Sequence, residues 1–281
     1  ILPNELLLLY VFWACQNAYV KPVEYCHLRK VSLKSIGLII VAAIFLFIMA
    51  DYVNACSMIA FQNLLDNSLQ AIVNKPVEAL VVVAILPAII EEFLFRGMIY
   101  RGIANKSNKK IVIIISALLF AFLHMNFNQM CYAFVMGLVF AIVIYLTDNL
   151  SVSILLHMLF NAFTVIITCF EKSNAIQAIL QCNIAGYTLF NPSLTDTQGK
   201  IEISLLIIGG LIAILSAVIA GWLILLIAKT EKTTETTINN KNILKDNDNI
   251  FKNNEKWKPD LRFFAGSGVC ILIAILYEIL L

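Results

Sequence analysis

Apolar runs of membrane-spanning length constrain the fold of this chain more than any other feature of its sequence. About 20 apolar residues in a helix cross the hydrocarbon core of a bilayer. The composition agrees, because 60% of the 281 residues are hydrophobic and only 14% are charged, whereas soluble domains carry about 25% charged residues. We therefore expect an all-α polytopic membrane protein with about eight transmembrane helices. The predicted spans are 4–20, 34–54, 77–99, 109–125, 130–147, 150–171, 201–228 and 262–281.

The segments between these runs divide the chain into parts. In residues 55–76, apolar side chains such as Phe61, Leu64 and Leu69 lie between polar residues, which indicates an amphipathic segment along a membrane surface. Residues 229–261 are rich in Asn, Lys and Thr and are predicted to be a disordered linker. The expected organisation is N-terminal helices with the interfacial segment (1–76), a four-helix core (77–171), an outer loop and seventh helix (172–228), the linker (229–261) and a last helix (262–281).

The distribution of basic residues predicts the orientation in the membrane. If the loops alternate sides, one set holds 17 of the 20 lysines and arginines. This set comprises loops 21–33, 96–110, 148–149 and 229–262, with Lys34 at a helix end. Loops rich in Lys and Arg stay on the cytoplasmic side. The sequence therefore predicts a multi-pass protein of a cell membrane with these loops in the cytoplasm, and it contains no basic-aromatic patch for nucleic acid.

Ionisable side chains inside the predicted spans are few, and each usually faces an interior cavity because a charge in a bilayer is costly. Glu91 and Glu92 lie in the third span. Glu92 and Arg96 are four residues apart, so they share a helix face and can pair. Glu91 points about 100° away from Glu92 on a helix. Glu91 is therefore the carboxylate without a partner on its own helix. Pro87 is expected to leave the carbonyl of Val83 without its usual helical hydrogen bond.

Other polar residues fall at a similar predicted depth on neighbouring spans. His157 and Asn161 are four residues apart and project from one helix face, and His124 lies near the end of the fourth span. A short polar turn follows His124, so the adjoining helices are expected to end below the outer surface. Asn126, Asn128 and Gln129 would then line a wet recess. His27 is expected to be solvated in a basic loop.

These residues permit more than one interpretation. Glu92 with Arg96 is compatible with a buried structural pair, and a single membrane histidine often only bonds a backbone carbonyl. Two histidines, an asparagine and an unpaired glutamate on three helices favour a functional site. A proton or ion pathway uses similar residues and stays open as an alternative.

Three motifs on separate spans resemble those of a known family. EEFLFRG fits Glu-Glu-x-x-x-Arg, FAFLH fits Phe-x-x-x-His, and HMLFN fits His-x-x-x-Asn, in that order. The chain thus resembles the CAAX protease and bacteriocin-processing (CPBP, or Abi) family of intramembrane endopeptidases, which includes the eukaryotic CAAX prenyl endopeptidase. The resemblance covers about residues 77–171. It implies that this core is catalytic, with the active site in a membrane-embedded cavity.

The resemblance also implies a role for each residue. Glu91 would be the general base that activates a water together with His124. His157 and Asn161 would donate hydrogen bonds to the oxyanion of the tetrahedral intermediate. Glu92 and Arg96 would hold the helix and orient this site.

Alternatives remain for the mechanism and for the substrate. Glu91, His124 and His157 also suit a catalytic zinc ion with an open position for water, although we favour a reaction without a metal or other cofactor. The expected substrate is a membrane-associated peptide or protein. The Lys-, Asn- and Ile-rich composition favours a bacterial cytoplasmic membrane and a bacteriocin, leader or signalling peptide, including a role in self-immunity. A proton-coupled transporter and a non-catalytic immunity protein are the other candidates.

Overall fold

The computed structural model of the chain describes residues 22–61, 73–104, 108–124, 126–196 and 198–243. The described part is mostly helical, with one short hairpin. Its helices and strands are α1 (Pro22–Tyr25), α2 (Leu33–Met58), α3 (Pro76–Ala79), a π-helical segment (Leu80–Ile85), α4 (Leu86–Glu92), a second π-helical segment (Phe93–Tyr100), α5 (Arg101–Ala104), α6 (Lys109–Phe122), α7 (Phe127–Thr147), α8 (Leu150–Cys169), α9 (Asn174–Leu180), β1 (Asn183–Ile184), β2 (Tyr187–Thr188) and α10 (Ile203–Ile243).

Short polar side chains determine where most of the long helices begin. A residue with such a side chain precedes the helix and accepts a hydrogen bond from one of its first amides, which would otherwise lack a partner. The N-capping residues are Ser32 before α2, Asn108 before α6, Asn126 before α7 and Asn149 before α8. Each cap lies at the boundary between a polar turn and an apolar run, so the sequence specifies these helix starts locally.

Four described helices are long and apolar enough to cross a membrane. They are Leu33–Met58, Phe127–Thr147, Leu150–Cys169 and Ile203–Thr234, and each coincides with a predicted span. A polytopic helical architecture is therefore found, but the expected number of eight spans is not established. The predicted spans 4–20 and 262–281, and residues 62–72 of the interfacial segment 55–76, lie outside the described residues. Helix α6 has only 14 residues, about 21 Å of helix, which is shorter than a bilayer core of about 30 Å.

The third predicted span is one helical run of mixed geometry over residues 76–104, which we call the glutamate helix. Pro87 explains part of this geometry. Its nitrogen carries no hydrogen and its ring conflicts with the preceding turn of an α-helix. The backbone before it widens, and the amide of Leu86 donates to the carbonyl of Val81, five residues earlier. The second π-helical segment begins directly after Glu92. Short π-helical stretches occur often at functional sites.

Apolar side chains from the glutamate helix and from α2, α6, α7, α8 and α10 form one core. Its members next to the glutamates are large and buried, such as Leu94, Phe95, Phe140 and Leu156. Helices α6 and α7 approach each other closely at Gly137, where an added Cβ would lie 3.0 Å from the Cα of Ala117. Close packing of this kind is typical of helices in membranes, where small residues let backbones approach.

The described parts of the four loops that were predicted to be cytoplasmic meet at one end of the molecule. The amide of Leu150 donates to the carbonyl of His27. His27 Nδ1 lies 2.7 Å from Asp148 Oδ2, and Arg101 Nη1 lies 2.8 Å from Asp148 Oδ1. Arg29 also reaches Asp148, at 3.3 Å. His27 is partly exposed, as expected of a solvated residue. Its contact with Asp148 was not predicted, because Asp148 lies 121 residues further along the chain and no local pattern indicates the contact.

Electrostatics at this cluster favour an ionised Asp148. Partial burial raises the pKa of its carboxyl, but the hydrogen bond from His27 and the charge of Arg101 outweigh that effect and lower the pKa to about 2. An opposite charge within a few ångströms stabilises the ionised form in this way. The cluster therefore ties the end of the glutamate helix to the turn between α7 and α8.

The outer loop 172–200 packs against the opposite end of the helices. Its hairpin, an exception to the expected all-α fold, places the buried ring of Tyr187 beside Tyr52 and Gly209. An added Cβ at Gly209 would overlap the Tyr187 ring, so a glycine is required there. The amide of Asn191 donates to Asp51 in α2 at 3.2 Å.

Helix α10 extends beyond the predicted seventh span, and the expected disordered linker does not begin at residue 229. Residues 229–243 continue the helix, because adding residues to a helix that already exists costs less than starting one. Glu231 fixes this extension. Its nearly buried carboxylate accepts hydrogen bonds from the amide of Ser32 at 3.2 Å and from Asn149 Nδ2 at 3.1 Å. The rest of the predicted linker lies outside the described residues.

Candidate active site

Glu92 is the most completely bonded polar group of the site. The guanidinium of Arg96 donates from Nη1 to Glu92 Oε1 at 2.8 Å, and both side chains are fully buried. Ser153 Oγ donates to Glu92 Oε2 at 2.6 Å. His157 Nδ1 lies 3.2 Å from Glu92 Oε1. The predicted Glu92–Arg96 pair is therefore present, but it is not self-contained, because two side chains of α8 share the carboxylate.

Arg96 connects the glutamate helix to two other helices. Its Nη2 donates to the carbonyl of Gly137 in α7 at 2.9 Å. The guanidinium carbon lies 4.4 Å from the centroid of the Phe120 ring of α6, a favourable cation–π distance. A buried ion pair is stable only when its remaining donors and acceptors are also satisfied. These contacts meet most of that requirement, although Arg96 Nε has no partner among the described residues.

Glu91 lies on a different face of the glutamate helix but shares a neighbour with Glu92. Its side chain is 9% exposed, and His157 Nε2 lies 4.0 Å from Glu91 Oε2. His157 thus stands between the two glutamates, with Nδ1 toward Glu92 and Nε2 toward Glu91. The distance to Glu91 is too long for a direct hydrogen bond, and one water can bridge atoms at this separation.

His124 lies in the turn just after α6, near the same group. Its Nδ1 lies 2.9 Å from the carbonyl oxygen of Phe120. A carbonyl only accepts, so Nδ1 carries the hydrogen, and Nε2 of the neutral ring is left as an acceptor. The Phe120 ring contacts both His124 and His157, at centroid distances of 5.0 and 5.6 Å. Glu91 and His157 both lie within electrostatic range of His124.

Asn161 is one turn beyond His157 on α8, and its Nδ2 donates to the carbonyl of Val83 at 3.2 Å. Pro87 lies four residues after Val83 and has no amide hydrogen, so it cannot donate to this carbonyl. The expected loss of its usual partner is thereby confirmed, and a side chain from another helix replaces that partner. The carboxamide of Asn161 has a second hydrogen on Nδ2, so this contact leaves one donor for another acceptor.

The predicted wet recess beyond His124 is not built as expected. Asn126 caps α7 by accepting from the amide of Asn128. Asn128 is fully buried, and its Nδ2 donates to Ser57 Oγ at 2.6 Å. The prediction that Asn128 lines a recess was wrong, because the end of α2 covers this side chain. Gln129 is partly buried.

Sequence reasoning missed Ser153 and the carbonyl of Gly137. Ser153 precedes His157 by four residues, so the helical spacing places both on one face of α8. That spacing was a usable signal for Ser153. No comparable sequence pattern indicates that the backbone carbonyl of Gly137 accepts a hydrogen bond from Arg96.

A metal ion would need three suitable side chains close together. Among the described residues no three His, Cys, Asp or Glu side chains are placed to hold a metal ion. Glu91, His124 and His157 therefore do not form a ready-made zinc site in this arrangement.

The fold and the site together define a multi-pass membrane protein with a buried cluster of glutamate, arginine and histidine between its helices. Residues 73–163 match the family model described as type II CAAX prenyl endopeptidase Rce1-like. This segment contains all three motifs, so the predicted resemblance to CAAX endopeptidases is confirmed for this part of the chain.

A curated relative supports the same resemblance. The membrane-embedded CAAX protease MroQ of Staphylococcus aureus (strain USA300) is 34% identical in an alignment of 116 residues that covers 39% of this chain and 47% of the relative. The match therefore spans about half the length of that relative. No solved structure matches the chain.

Proposed function

We propose that this protein is an intramembrane endopeptidase that hydrolyses a peptide bond of a membrane-associated peptide or protein. The observation that carries the proposal is the position of His157 between Glu91 and Glu92, inside a buried site formed by three helices. The family match over residues 73–163 supports the same reaction class. The lipid bilayer surrounds the site, and nucleic acid has no part in the reaction.

The proposed attack begins with a water between Glu91 and its neighbouring histidines. Glu91 takes a proton from this water as general base, with Nε2 of His124 as a second acceptor. The resulting hydroxide adds to the carbonyl carbon of the substrate. The proton then passes to the nitrogen of the leaving amine as the C–N bond breaks and the oxyanion collapses to the C=O of a carboxylic acid. This acid ionises by losing its proton to the released amine.

His157 is proposed to stabilise the oxyanion. Its Nδ1 donates to Glu92, so Nε2 carries a hydrogen only when the ring is an imidazolium. Its Nε2–H would then face the side of Glu91, where the oxyanion develops. The second hydrogen of the Asn161 carboxamide would add another donor. Such donors are most effective where water is scarce.

The reaction is proposed to proceed without a metal. Glu92 binds Nδ1 of His157, and the Phe120 carbonyl binds Nδ1 of His124. These two contacts orient both rings for hydrogen bonding. The proposed substrate is a bacteriocin, leader or signalling peptide that unwinds to enter the site. The relative from Staphylococcus aureus is a CAAX protease, so a peptide with a CAAX sequence is the first substrate to test.

Cleavage of a quenched fluorescent peptide by the purified protein in proteoliposomes tests the proposal. We expect Glu91→Gln, His124→Ala and His157→Ala each to lower kcat by about 10²-fold or more. Glu78→Gln, at an exposed glutamate on the same helical run, and His27→Ala are matched controls that should retain activity. If all three site variants cleave at the wild-type rate, the assignment is wrong. Inactivation by a chelator with recovery on added Zn²⁺ would contradict the metal-free reaction.

A further inference from the structure

A buried serine outside the three motifs contacts the second glutamate of the site. Ser153 lies on α8 one turn before His157, and it is fully buried. Its hydroxyl donates to Glu92 Oε2 at 2.6 Å, a distance typical of a hydrogen bond from a hydroxyl to a carboxylate. The carbonyl of Phe140 lies 3.5 Å from the same hydroxyl. The carboxylate is the much closer of these two acceptors.

The three donors to Glu92 do not all bind the same oxygen of its carboxylate. Arg96 and His157 both act on Oε1, while Ser153 acts on Oε2. A carboxylate can rotate about its terminal bond, and this torsion is broad when nothing restrains it. The bond from Ser153 fixes Oε2 and thereby keeps Oε1 aligned with His157 Nδ1. Without it, a buried oxygen would lack a partner and the carboxylate would turn toward another donor.

We propose that Ser153 is a positioning residue for the hydrolytic reaction. It holds Glu92 so that Glu92 fixes the orientation of His157, whose Nε2 then faces Glu91. The inference rests on the proposed endopeptidase function, and it adds a residue that touches neither the water nor the substrate. Its effect should appear in the rate of the chemical step and not in substrate binding, because the hydroxyl acts through Glu92 and His157.

A purely structural serine would behave differently, and the chain offers one for comparison. Ser116 in α6 is also fully buried, and its hydroxyl donates to the carbonyl of Phe95 at 3.4 Å. Replacing either serine with alanine removes one oxygen from the core. Only Ser153→Ala, however, removes a hydrogen bond to a carboxylate of the site. Comparison of the two variants therefore separates a loss of packing from a loss of orientation.

The test is steady-state cleavage in proteoliposomes by the wild type, Ser153→Ala, Ser153→Thr and Ser116→Ala. We expect Ser153→Ala to lower kcat by about 10-fold to 100-fold, the range for loss of a hydrogen bond to a charged group, with KM within about twofold. Ser153→Thr keeps the hydroxyl and should recover most of kcat. Ser116→Ala should stay within about threefold of the wild type.

Each outcome bears on the proposal. A kcat for Ser153→Ala equal to that of the wild type overturns it, and so does an equal fall in Ser116→Ala. A raised KM with unchanged kcat would also contradict it, since that result assigns Ser153 to binding. If the wild type cleaves and Ser153→Ala matches it, only this inference fails. If the wild type cleaves no peptide, the proposed function and this inference fail together. Thermal unfolding of each variant verifies that the protein is folded.

Discussion

Replacing Arg96 with methionine should destabilise the protein strongly, because it leaves the carboxylate of Glu92 buried without its cation. The guanidinium makes two charge-assisted hydrogen bonds, to Glu92 Oε1 at 2.8 Å and to the carbonyl of Gly137 at 2.9 Å. Breaking a buried pair by removing one partner costs about 3–5 kcal/mol. Ser153 and His157 still donate to Glu92 in the variant, so we expect a value near the lower end of this range.

The double variant Glu92→Gln/Arg96→Met provides the decisive comparison. It removes both charges, so the penalty of an uncompensated carboxylate disappears. We expect the double variant to be more stable than Arg96→Met alone by about 1–3 kcal/mol, because interaction energies of this size are typical of residues in direct contact. The glutamine keeps an acceptor oxygen for Ser153, which limits new losses.

Reversible unfolding in mixed detergent micelles measures these free energies, and an exposed pair at the start of the glutamate helix serves as the control. Lys75 and Glu78 lie 3.1 Å apart with side chains more than half exposed. Such pairs contribute about 0–1 kcal/mol, so Lys75→Met should change stability little. The reasoning is refuted if Arg96→Met costs no more than Lys75→Met, or if the effects of the Glu92 and Arg96 substitutions simply add.

Three further predictions concern stability. Gly137→Ala should cost about 1–3 kcal/mol, since the new methyl group would meet the backbone of Ala117; an unchanged unfolding midpoint would contradict the close helix approach. Asp148→Asn should cost about 1 kcal/mol at neutral pH after allowance for solvent screening of this half-exposed carboxyl. Because the folded-state pKa of Asp148, about 2, lies below the ordinary value of 3.8, its contribution is complete above pH 3.8 and is lost as the pH falls toward 2. The wild type and Asp148→Asn should therefore converge in stability as the pH falls from 3.8 toward 2, and a constant difference would refute the ionic role. Asn161→Ala should lower the free energy of unfolding by about 1–3 kcal/mol, because it leaves the carbonyl of Val83 short of a donor. A chemical denaturation curve that matches the wild type would show that the hydrogen bond from Asn161 to Val83 does not stabilise the fold.

Local patterns in the sequence predicted the features of the fold and site that depend on one helix. The apolar runs gave the positions of α2, α7, α8 and most of α10. The spacing of four residues predicted the Glu92–Arg96 contact. Pro87 indicated that the Val83 carbonyl would need another partner, which is the case. These predictions succeeded because helical geometry fixes which neighbouring residues share a face.

Features that depend on the rotation of one helix against another could not be predicted. The motifs indicated that His157 belongs with Glu91 but not that it also contacts Glu92, because this contact depends on how α8 packs on the glutamate helix. Asn128 was expected in a recess and is covered by α2. His27 and Asp148 meet only after the loops converge. In each case the partner is distant in the sequence, and only the packing of helices brings it near.

The hydrogen bond from Asn161 to the Val83 carbonyl makes positions 87 and 161 depend on each other. Related sequences should therefore vary together at these two positions. A residue other than proline at position 87 would supply an amide hydrogen, and the carbonyl would then need no side chain from α8. If asparagine at position 161 only serves this carbonyl, the two residues should be lost together in evolution. A relative without the proline that keeps the asparagine would indicate that selection retains the carboxamide for its remaining hydrogen. Comparison of homologues at these two positions thus separates the architectural role of Asn161 from its chemical one.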